Sequence, residues 1–306
     1  MNANQHQHVP AVRGAMRRSE PMSRHSTWRC GGLAAQFFEP ADRDDLLSFL
    51  RGRKDSDSIH WVGFGSNLLV RDGGVDGTVV STARGLSTLN WTGQETAHAE
   101  CGVSCARLAR EADQHGYPKM AFLAGIPGTI GGALRMNAGA LGANTWEFVE
   151  RVELVDQAGS VCWSDAKDFE AGYRSVNVPT DQWFLGAEFN FSRPSTDAAT
   201  PTSIRAVRQH RAATQPTGQA TCGSVFKNPV GDYAGRLIEE CGLKSHRIGG
   251  CYISEVHANF FVNDGSACAQ DVESLIEFVR DTVKSRTGVL LEPEVRIIGK
   301  PQGSAQ

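Results

Sequence analysis

The chain lacks the features that would mark it as a nucleic-acid-binding or membrane protein. Its formal net charge of −3 over 306 residues leaves no basic field for nucleic acid. It has no apolar run long enough to span a bilayer, and its N-terminus has no apolar segment typical of a secretory signal. These absences argue against nucleic acid and membrane as partners, and we expect a cytoplasmic protein.

The cysteines also form no recognisable pattern. The eight of them are spread through the chain without a C-x-x-C pair, and Cys101 and Cys105 have no second pair at the spacing of a zinc site. We therefore expect free thiols, which are usual in the cytoplasm, and no metal centre.

Glycine, by contrast, is abundant, with 33 residues. Five of them lie between residues 125 and 140 among small apolar residues, and two more lie at 63 and 65, after a predicted buried strand over 59–62. Such loops expose backbone N–H groups that suit a pyrophosphate, although a tightly packed structural loop explains one of them equally well. Neither loop matches the P-loop or the dinucleotide-binding fingerprint of Rossmann folds.

The length predicts two or three domains. We expect a disordered arm over 1–24, a β-α-β-β unit over 25–85, a mixed α+β unit over 86–195, a linker over 192–202 and a third unit over 203–300. Hydrophobic periodicity predicts helices over 42–53, 104–115, 203–214, 233–241 and 269–286, and a last strand over 289–298.

Three polar residues occur in otherwise apolar or glycine-containing runs: Arg174, Ser224 and Glu294. Singly, each is more often structural than catalytic, because an arginine usually pairs with a carboxylate and a serine after glycine usually caps a turn. The order in which the motifs occur is more informative. The chain contains GFGSNLLVRDGG at 63–74, GIPGTIGGALRMNAG at 125–139, GYRS at 172–175, GSVFKNP at 223–229, SEVHANFFVN at 254–263 and LEPEVR at 291–296.

In this combination and order, over about residues 26–299, the chain resembles the UDP-N-acetylenolpyruvoylglucosamine reductase (MurB) family, in its short subtype. The resemblance implies an α+β fold, with a two-domain FAD-binding module of the vanillyl-alcohol-oxidase type and a C-terminal α+β substrate domain. It implies that NADPH reduces a non-covalently bound FAD, and that the flavin then reduces the enolpyruvyl ether of UDP-N-acetylglucosamine to UDP-N-acetylmuramate for peptidoglycan synthesis. We expect a monomer.

The resemblance also assigns roles to residues. Arg174 would stabilise the negative charge that builds up on the enolpyruvyl group, and Ser224 would deliver the proton. Glu294, chosen over its neighbour Glu292 by motif alignment, would be a second acid group, a role that works best if burial raises its pKa.

Two further sets of residues follow from the motifs. The residues implied for the cofactor are Gly63, Phe64, Gly65, Ser66, Asn67, Leu68, Gly125, Pro127, Gly128, Thr129, Gly131, Gly132, Asn137, Ala138 and Gly139. The residues implied for the substrate are Tyr173, Lys227, Asn228 and His257.

Three positions depart from the family pattern. Leu141 stands where a tyrosine is common, Asn228 stands where many short-subtype members have arginine, and Cys30 replaces an aliphatic residue. The alternatives are another FAD-dependent oxidoreductase or oxidase on the same fold, often with FAD attached covalently through His or Cys, and a non-enzymatic nucleotide-binding module. The module would be expected to have lost a catalytic acid or cation.

Overall fold

The computed structural model describes residues 12–53, 57–193 and 203–303. Residues 194–202 of the linker predicted over 192–202, and residues 1–11 of the predicted arm, lie outside the described residues.

The first unit is a small sheet with one covering helix. Its elements are β1 (Ala15–Pro21), β2 (Leu33–Glu39), α1 (Arg43–Gly52), β3 (Ile59–Val62), β4 (Leu68–Val70) and β5 (Val75–Ser81). The sheet has the order β1-β2-β5-β3, in which β5 runs parallel to both β2 and β3. Helix α1 begins after Asp42, whose carboxylate accepts a hydrogen bond from the Asp45 amide (3.0 Å), and it buries three leucines as its periodicity predicts.

The prediction of a disordered arm is wrong for residues 12–24. Strand β1 pairs with β2 from Ala15 to Pro21, and Met22 after it is fully buried. The backbone amides of Arg13 and Gly14 also donate to the buried carboxylate of Asp45. Because β1 is an edge strand with mostly exposed side chains, backbone pairing stabilises it, and the sequence carries no apolar alternation that could reveal it.

The second unit is built around an antiparallel sheet. Its elements are β6 (Leu89–Trp91), β7 (Thr96–Glu100), α2 (Cys105–Gln114), α3 (Ile130–Met136), β8 (Gly139–Ala140), β9 (Ala143–Asn144), β10 (Val149–Asp156), β11 (Val161–Asp165), β12 (Ala171–Gly172), β13 (Ser175–Val176) and β14 (Gln182–Asn190). The sheet order is β11-β10-β14-β7-β6. Ser104 caps α2, because its hydroxyl accepts from the Arg107 amide (3.2 Å).

The third unit packs short strands against one long helix. Its elements are α4 (Ile204–Thr214), α5 (Ala234–Glu240), β15 (Arg247–Ile248), β16 (Cys251–Ile253), β17 (Phe261–Asn263), α6 (Ala269–Thr287) and β18 (Arg296–Ile298). The apolar face predicted for α6 is buried in the core of this unit. Helix α4 differs from expectation, because its Val207 packs into the core of the second unit.

The last strand is also shorter than predicted. Only Arg296–Ile298 forms β18, and it pairs in parallel with β4 of the first unit. The preceding residues instead bond to the segment around residue 225: Glu292 accepts from the Lys227 amide and the Glu294 amide donates to Val225. Pro293 lies between them and has no N–H to donate to a sheet.

The first and third units share a core. Trp28 is fully buried among the apolar side chains of the third unit, and its indole N–H donates to the carbonyl of Phe261 (2.9 Å). The amide of Asn263 donates in return to the carbonyl of Trp28 (2.7 Å). These contacts and the β4–β18 pair fix the third unit against the first.

Candidate active site

A cavity of about 700 Å³ lies where the three units meet. Every residue implied for the cofactor lines it except Asn137, and all three residues implied for catalysis line it as well. The cavity therefore brings together residues that are more than 200 positions apart in the chain.

The two glycine loops touch each other at the bottom of the cavity. A Cβ at Gly63 would lie 2.4 Å from Oγ1 of Thr129, so the first loop can approach the second only with glycine at this position. Gly65 adopts φ +64°, a conformation that favours glycine. The close approach leaves backbone of both loops along the same cavity wall.

Asn137, which was expected to contact the cofactor, lies outside the cavity lining and stabilises a turn instead. It ends α3 in the left-handed conformation (φ 40°), and its side chain bridges two segments by accepting from the Trp146 amide and donating to the Gly172 carbonyl. It thus holds the turn that presents the neighbouring Ala138 and Gly139 to the cavity.

Arg174 comes from the second unit and reaches the cavity through a strained backbone. Its φ is +52°, outside the region that L-residues prefer. One Nη donates to the Gly139 carbonyl (2.9 Å), and Nε lies 3.1 Å from Oε1 of Glu294. Both side chains of this ion pair are largely shielded, with 20% and 16% of their surfaces exposed.

Glu294 is held by backbone contacts to the first unit and within the third. The amide of Asn67 donates to its carbonyl (3.1 Å), and its own N–H donates to Val225 (2.7 Å). Burial raises the pKa of the Glu294 carboxyl, and the charges of Arg174 and Lys227 oppose that rise. The direction agrees with the expected effect of burial on this pKa, and the acid role of Glu294 stays a prediction.

Ser224 follows Gly223, which has φ +76°, and it forms an isolated β-bridge with Phe260. The bond from the Glu294 amide to the Val225 carbonyl sets Ser224 and Glu294 on adjacent backbone segments. In the part of the chain that the structure describes, no hydrogen bond engages the Ser224 hydroxyl.

The four residues implied for the substrate lie outside the cavity lining. The hydroxyl of Tyr173 accepts from the Asn228 amide (3.3 Å), so these two join the second unit to the third. Lys227 pairs with Glu292 (Nζ–Oε1 2.6 Å). His257 accepts from the Asn259 amide at Nδ1, and burial lowers the pKa of its imidazole.

The sequence motifs missed several residues of the cavity wall, chiefly Trp61 and Trp183, whose rings stack at 5.2 Å, and the arginines at 135, 211 and 296. Arg296 had a detectable signal, because in an extended segment it shares a face with Glu294 two residues before it. Arg211 lies on α4, and its helical pattern could not reveal which unit the helix would join.

The cavity wall is strongly cationic. Among the described residues that line it there are four arginines and one carboxylate, Glu294. With two glycine loops along its length, this wall fits a dinucleotide cofactor, whose pyrophosphate needs backbone N–H groups and positive charge. Its volume lies within the usual range for ligand sites.

Comparison with known proteins gives the class and then the family. A family model described as FAD binding domain matches residues 34–165, and one described as UDP-N-acetylenolpyruvoylglucosamine reductase, C-terminal domain, matches residues 215–298. The fold and the site are thus those of an FAD-binding oxidoreductase, and the predicted α+β class and FAD cofactor are confirmed. Helix α4 lies between the two matched regions.

Relatives that match over nearly the whole chain identify the family within this class of oxidoreductase. The UDP-N-acetylenolpyruvoylglucosamine reductase of Methylococcus capsulatus is 49% identical over 290 residues, 95% of each chain. That of Alkalilimnicola ehrlichii is 48% identical and covers 94% of this chain and 96% of its own. The crystal structure of the Thermus caldophilus enzyme (MurB) superposes with a TM-score of 0.74 at 28% identity, over 94% of this chain and 99% of the other. The chain belongs to the UDP-N-acetylenolpyruvoylglucosamine reductase family.

Two further observations concern membrane-spanning helices and the cysteines. No helix in the described ranges is long and apolar enough to cross a membrane. All eight cysteines are free.

Proposed function

We propose that this chain reduces the enolpyruvyl ether of UDP-N-acetylglucosamine to UDP-N-acetylmuramate, with NADPH as the reductant and FAD bound along the two glycine loops. The observation that carries the proposal is the Arg174–Glu294 pair beside Ser224, in a cavity that both loops line. FAD, when bound, supplies the hydride that adds to the terminal carbon of the substrate double bond.

Arg174 acts where charge develops. Addition of hydride to an enolpyruvyl group moves an electron pair toward the carboxylate side of the substrate, and a fixed cation there lowers the barrier. Because Gly139 holds one Nη at 2.9 Å, the guanidinium is positioned before substrate arrives.

Ser224 delivers the proton to the neighbouring carbon, which completes the addition of one hydride and one proton across the double bond. A serine is a weak acid, but it is adequate against a strongly basic enolate. Glu294 assists from the adjacent segment as a second acid, and burial favours its neutral form.

Tyr173, Lys227, Asn228 and His257 bind the sugar nucleotide at the outer side of the site. Support comes from the bond between Tyr173 and Asn228, which spans the second and third units beside Arg174 and Lys227. In this proposal Lys227 exchanges Glu292 for a phosphate or carboxylate of the substrate.

The chain acts as a monomer in the cytoplasm. The monomer is supported by a site whose loops and three catalytic side chains all come from one chain. The location is supported by the eight free thiols, which are typical of a reducing compartment.

The test is the visible spectrum of the purified protein under nitrogen. NADPH should bleach a flavin spectrum, and the enolpyruvyl substrate should restore it without oxygen. A protein that NADPH bleaches but the substrate does not restore would contradict the proposed substrate. Flavin that stays attached after denaturation would indicate a covalent oxidase instead.

A further inference from the structure

Arg174 occupies the tip of a hairpin in which its backbone is strained. Strands β12 and β13 pair Gly172 with Ser175, so Tyr173 and Arg174 are the two residues of the turn. The φ of Arg174 is +52°, which turns usually assign to glycine or asparagine. Backbone in such a region persists only where the surrounding structure fixes it. The hairpin must therefore be held from outside.

The guanidinium of Arg174 is held by backbone carbonyls of the turn after α3. One Nη donates to the Gly139 carbonyl at 2.9 Å, and the other donates to the Asn137 carbonyl at 3.5 Å. The carbonyl between them, of Ala138, accepts instead from the amide and the hydroxyl of Thr145 (3.0 and 2.6 Å). Two alternate carbonyls of one short segment are thus available to the arginine.

The side chain of Asn137 ties this turn to the hairpin. Its Nδ2 donates to the Gly172 carbonyl (3.0 Å), and its Oδ1 accepts from the Trp146 amide (3.1 Å). Asparagine offers a donor and an acceptor on one short side chain, and it tolerates the φ of +40° found here. A residue that only closed the turn after α3 would need the bond to Trp146 but not the bond to Gly172.

Asn137 therefore acts on both ends of Arg174. Its carboxamide holds the backbone of the hairpin at Gly172, two positions before Arg174, and its own carbonyl holds the guanidinium. On the other side of the guanidinium, Nε lies 3.1 Å from Oε1 of Glu294 in the third unit. Contacts from the second unit thus share the guanidinium with Glu294 and fix its direction before substrate arrives.

We propose that Asn137 is a positioning residue for Arg174, which directs the guanidinium to the place where negative charge develops on the enolpyruvyl group. This inference rests on the proposed function, since it requires Arg174 to act on that substrate. Asn137 is buried, with 7% of its surface exposed, and it lies outside the cavity lining. It therefore acts through Arg174, and the cofactor contact expected from the sequence is replaced by this role.

The test separates the two half-reactions of the FAD-loaded protein by stopped-flow absorbance under nitrogen. Asn137→Gly keeps the left-handed φ accessible and removes only the side chain. FAD affinity and the rate of reduction by NADPH should stay at wild-type values, whereas reoxidation by the enolpyruvyl substrate should slow about tenfold to hundredfold, as expected of a misplaced catalytic group. Asn177→Ala, at an exposed position just after β13, should change none of these rates.

A second variant covers a failure of Asn137→Gly to fold. Asn137→Asp tolerates the same φ and keeps the acceptor for the Trp146 amide, but it loses the donor to Gly172. It should show the same selective loss in reoxidation. A variant that instead loses FAD affinity, or is reduced more slowly by NADPH, would place Asn137 at the cofactor and overturn the inference. Wild-type reoxidation in either variant would overturn it as well.

A double-mutant cycle distinguishes positioning from a merely structural role. In protein that already carries Arg174→Met, adding Asn137→Gly should slow reoxidation by no more than about twofold, because the group that Asn137 positions is gone. A full additional loss would show that Asn137 acts independently of Arg174 and would overturn the inference. If Arg174→Met alone leaves reoxidation unchanged, the proposed role of Arg174 fails and this inference fails with it. Wild-type protein that the substrate does not reoxidise would reject the proposed function itself.

Discussion

Two walls of the cavity are built in different ways. The glycine-loop wall, residues 63–68 and 125–132, depends on local backbone conformation and on the close approach of Gly63 to Thr129. The acid-bearing wall, with Ser224 and Glu294, depends on pairing between segments distant in sequence. Strand β18 joins β4, and the Asn67 side chain joins Glu294, across more than 220 residues.

The difference separates the loops proposed to bind the cofactor from the two proposed acid groups, Ser224 and Glu294. The glycine-loop wall lies within the first two units, whereas the acid-bearing wall belongs to the third unit, which Trp28 and β4 fix against the first. Changes in one wall should therefore leave the function of the other measurable, and each prediction below tests that independence.

The largest effect is expected for Ser224→Ala. The variant should bind FAD and be reduced by NADPH as wild type, yet lose about 10²–10⁴-fold in turnover of the enolpyruvyl substrate, the usual contribution of a positioned acid. Stopped-flow absorbance separates the two half-reactions. Ser266→Ala, at an exposed position of the same unit, is the control. Wild-type turnover in the Ser224 variant would reject it as the proton donor.

Gly63→Ala should damage the opposite wall. The added Cβ would lie 2.4 Å from Oγ1 of Thr129, so one loop must shift, at a cost of about 1–3 kcal/mol of unfolding free energy and with weaker FAD binding. Denaturation and flavin titration measure both. Adding Thr129→Ala removes the clashing atom and should recover part of the loss; no recovery would show that the contact is not the cause.

Trp28→Phe should weaken the contact that holds the third unit against the first. It removes the indole N–H that donates to Phe261 and leaves a buried carbonyl without that donor, at a cost of about 1–3 kcal/mol of unfolding free energy. FAD affinity should change less than substrate turnover, because both glycine loops belong to units that remain intact. If FAD affinity falls and turnover per bound flavin is constant, the two walls are not independent.

The glycine-loop wall could be predicted from the sequence to a large extent. Residues 63–68 and the glycines of 125–132 line the cavity, as expected. They could be found because a cluster of glycines reflects a requirement of the local backbone, which the sequence shows directly. Helices α1, α2 and α6 were equally predictable, since their apolar periodicity and the capping residues Asp42 and Ser104 act within a few positions.

What the sequence could not reveal depends on distant pairing. The edge strand β1 has no apolar alternation, α4 packs on the unit before it, and β18 pairs with the first unit rather than the third. The position of Asn137 outside the cavity lining was unpredictable for the same reason, because its partners Trp146 and Gly172 are set by the tertiary fold. The roles of Arg174, Ser224 and Glu294 came from family resemblance, and they remain predictions.

The smallest effect is a pH dependence that tests burial of the acid-bearing wall. Because burial raises the pKa of Glu294 in the folded protein, the stability that this group contributes is fully present below its ordinary pKa and is lost as pH rises through the folded value. Glutamine does not titrate, so the melting temperature of Glu294→Gln relative to wild type should increase from pH 4 to pH 8. Glu292→Gln, at an exposed neighbouring carboxylate, should show no such trend. A relative melting temperature that decreases with pH would mean that the Arg174 ion pair outweighs burial, and that Glu294 is an anion in the resting enzyme.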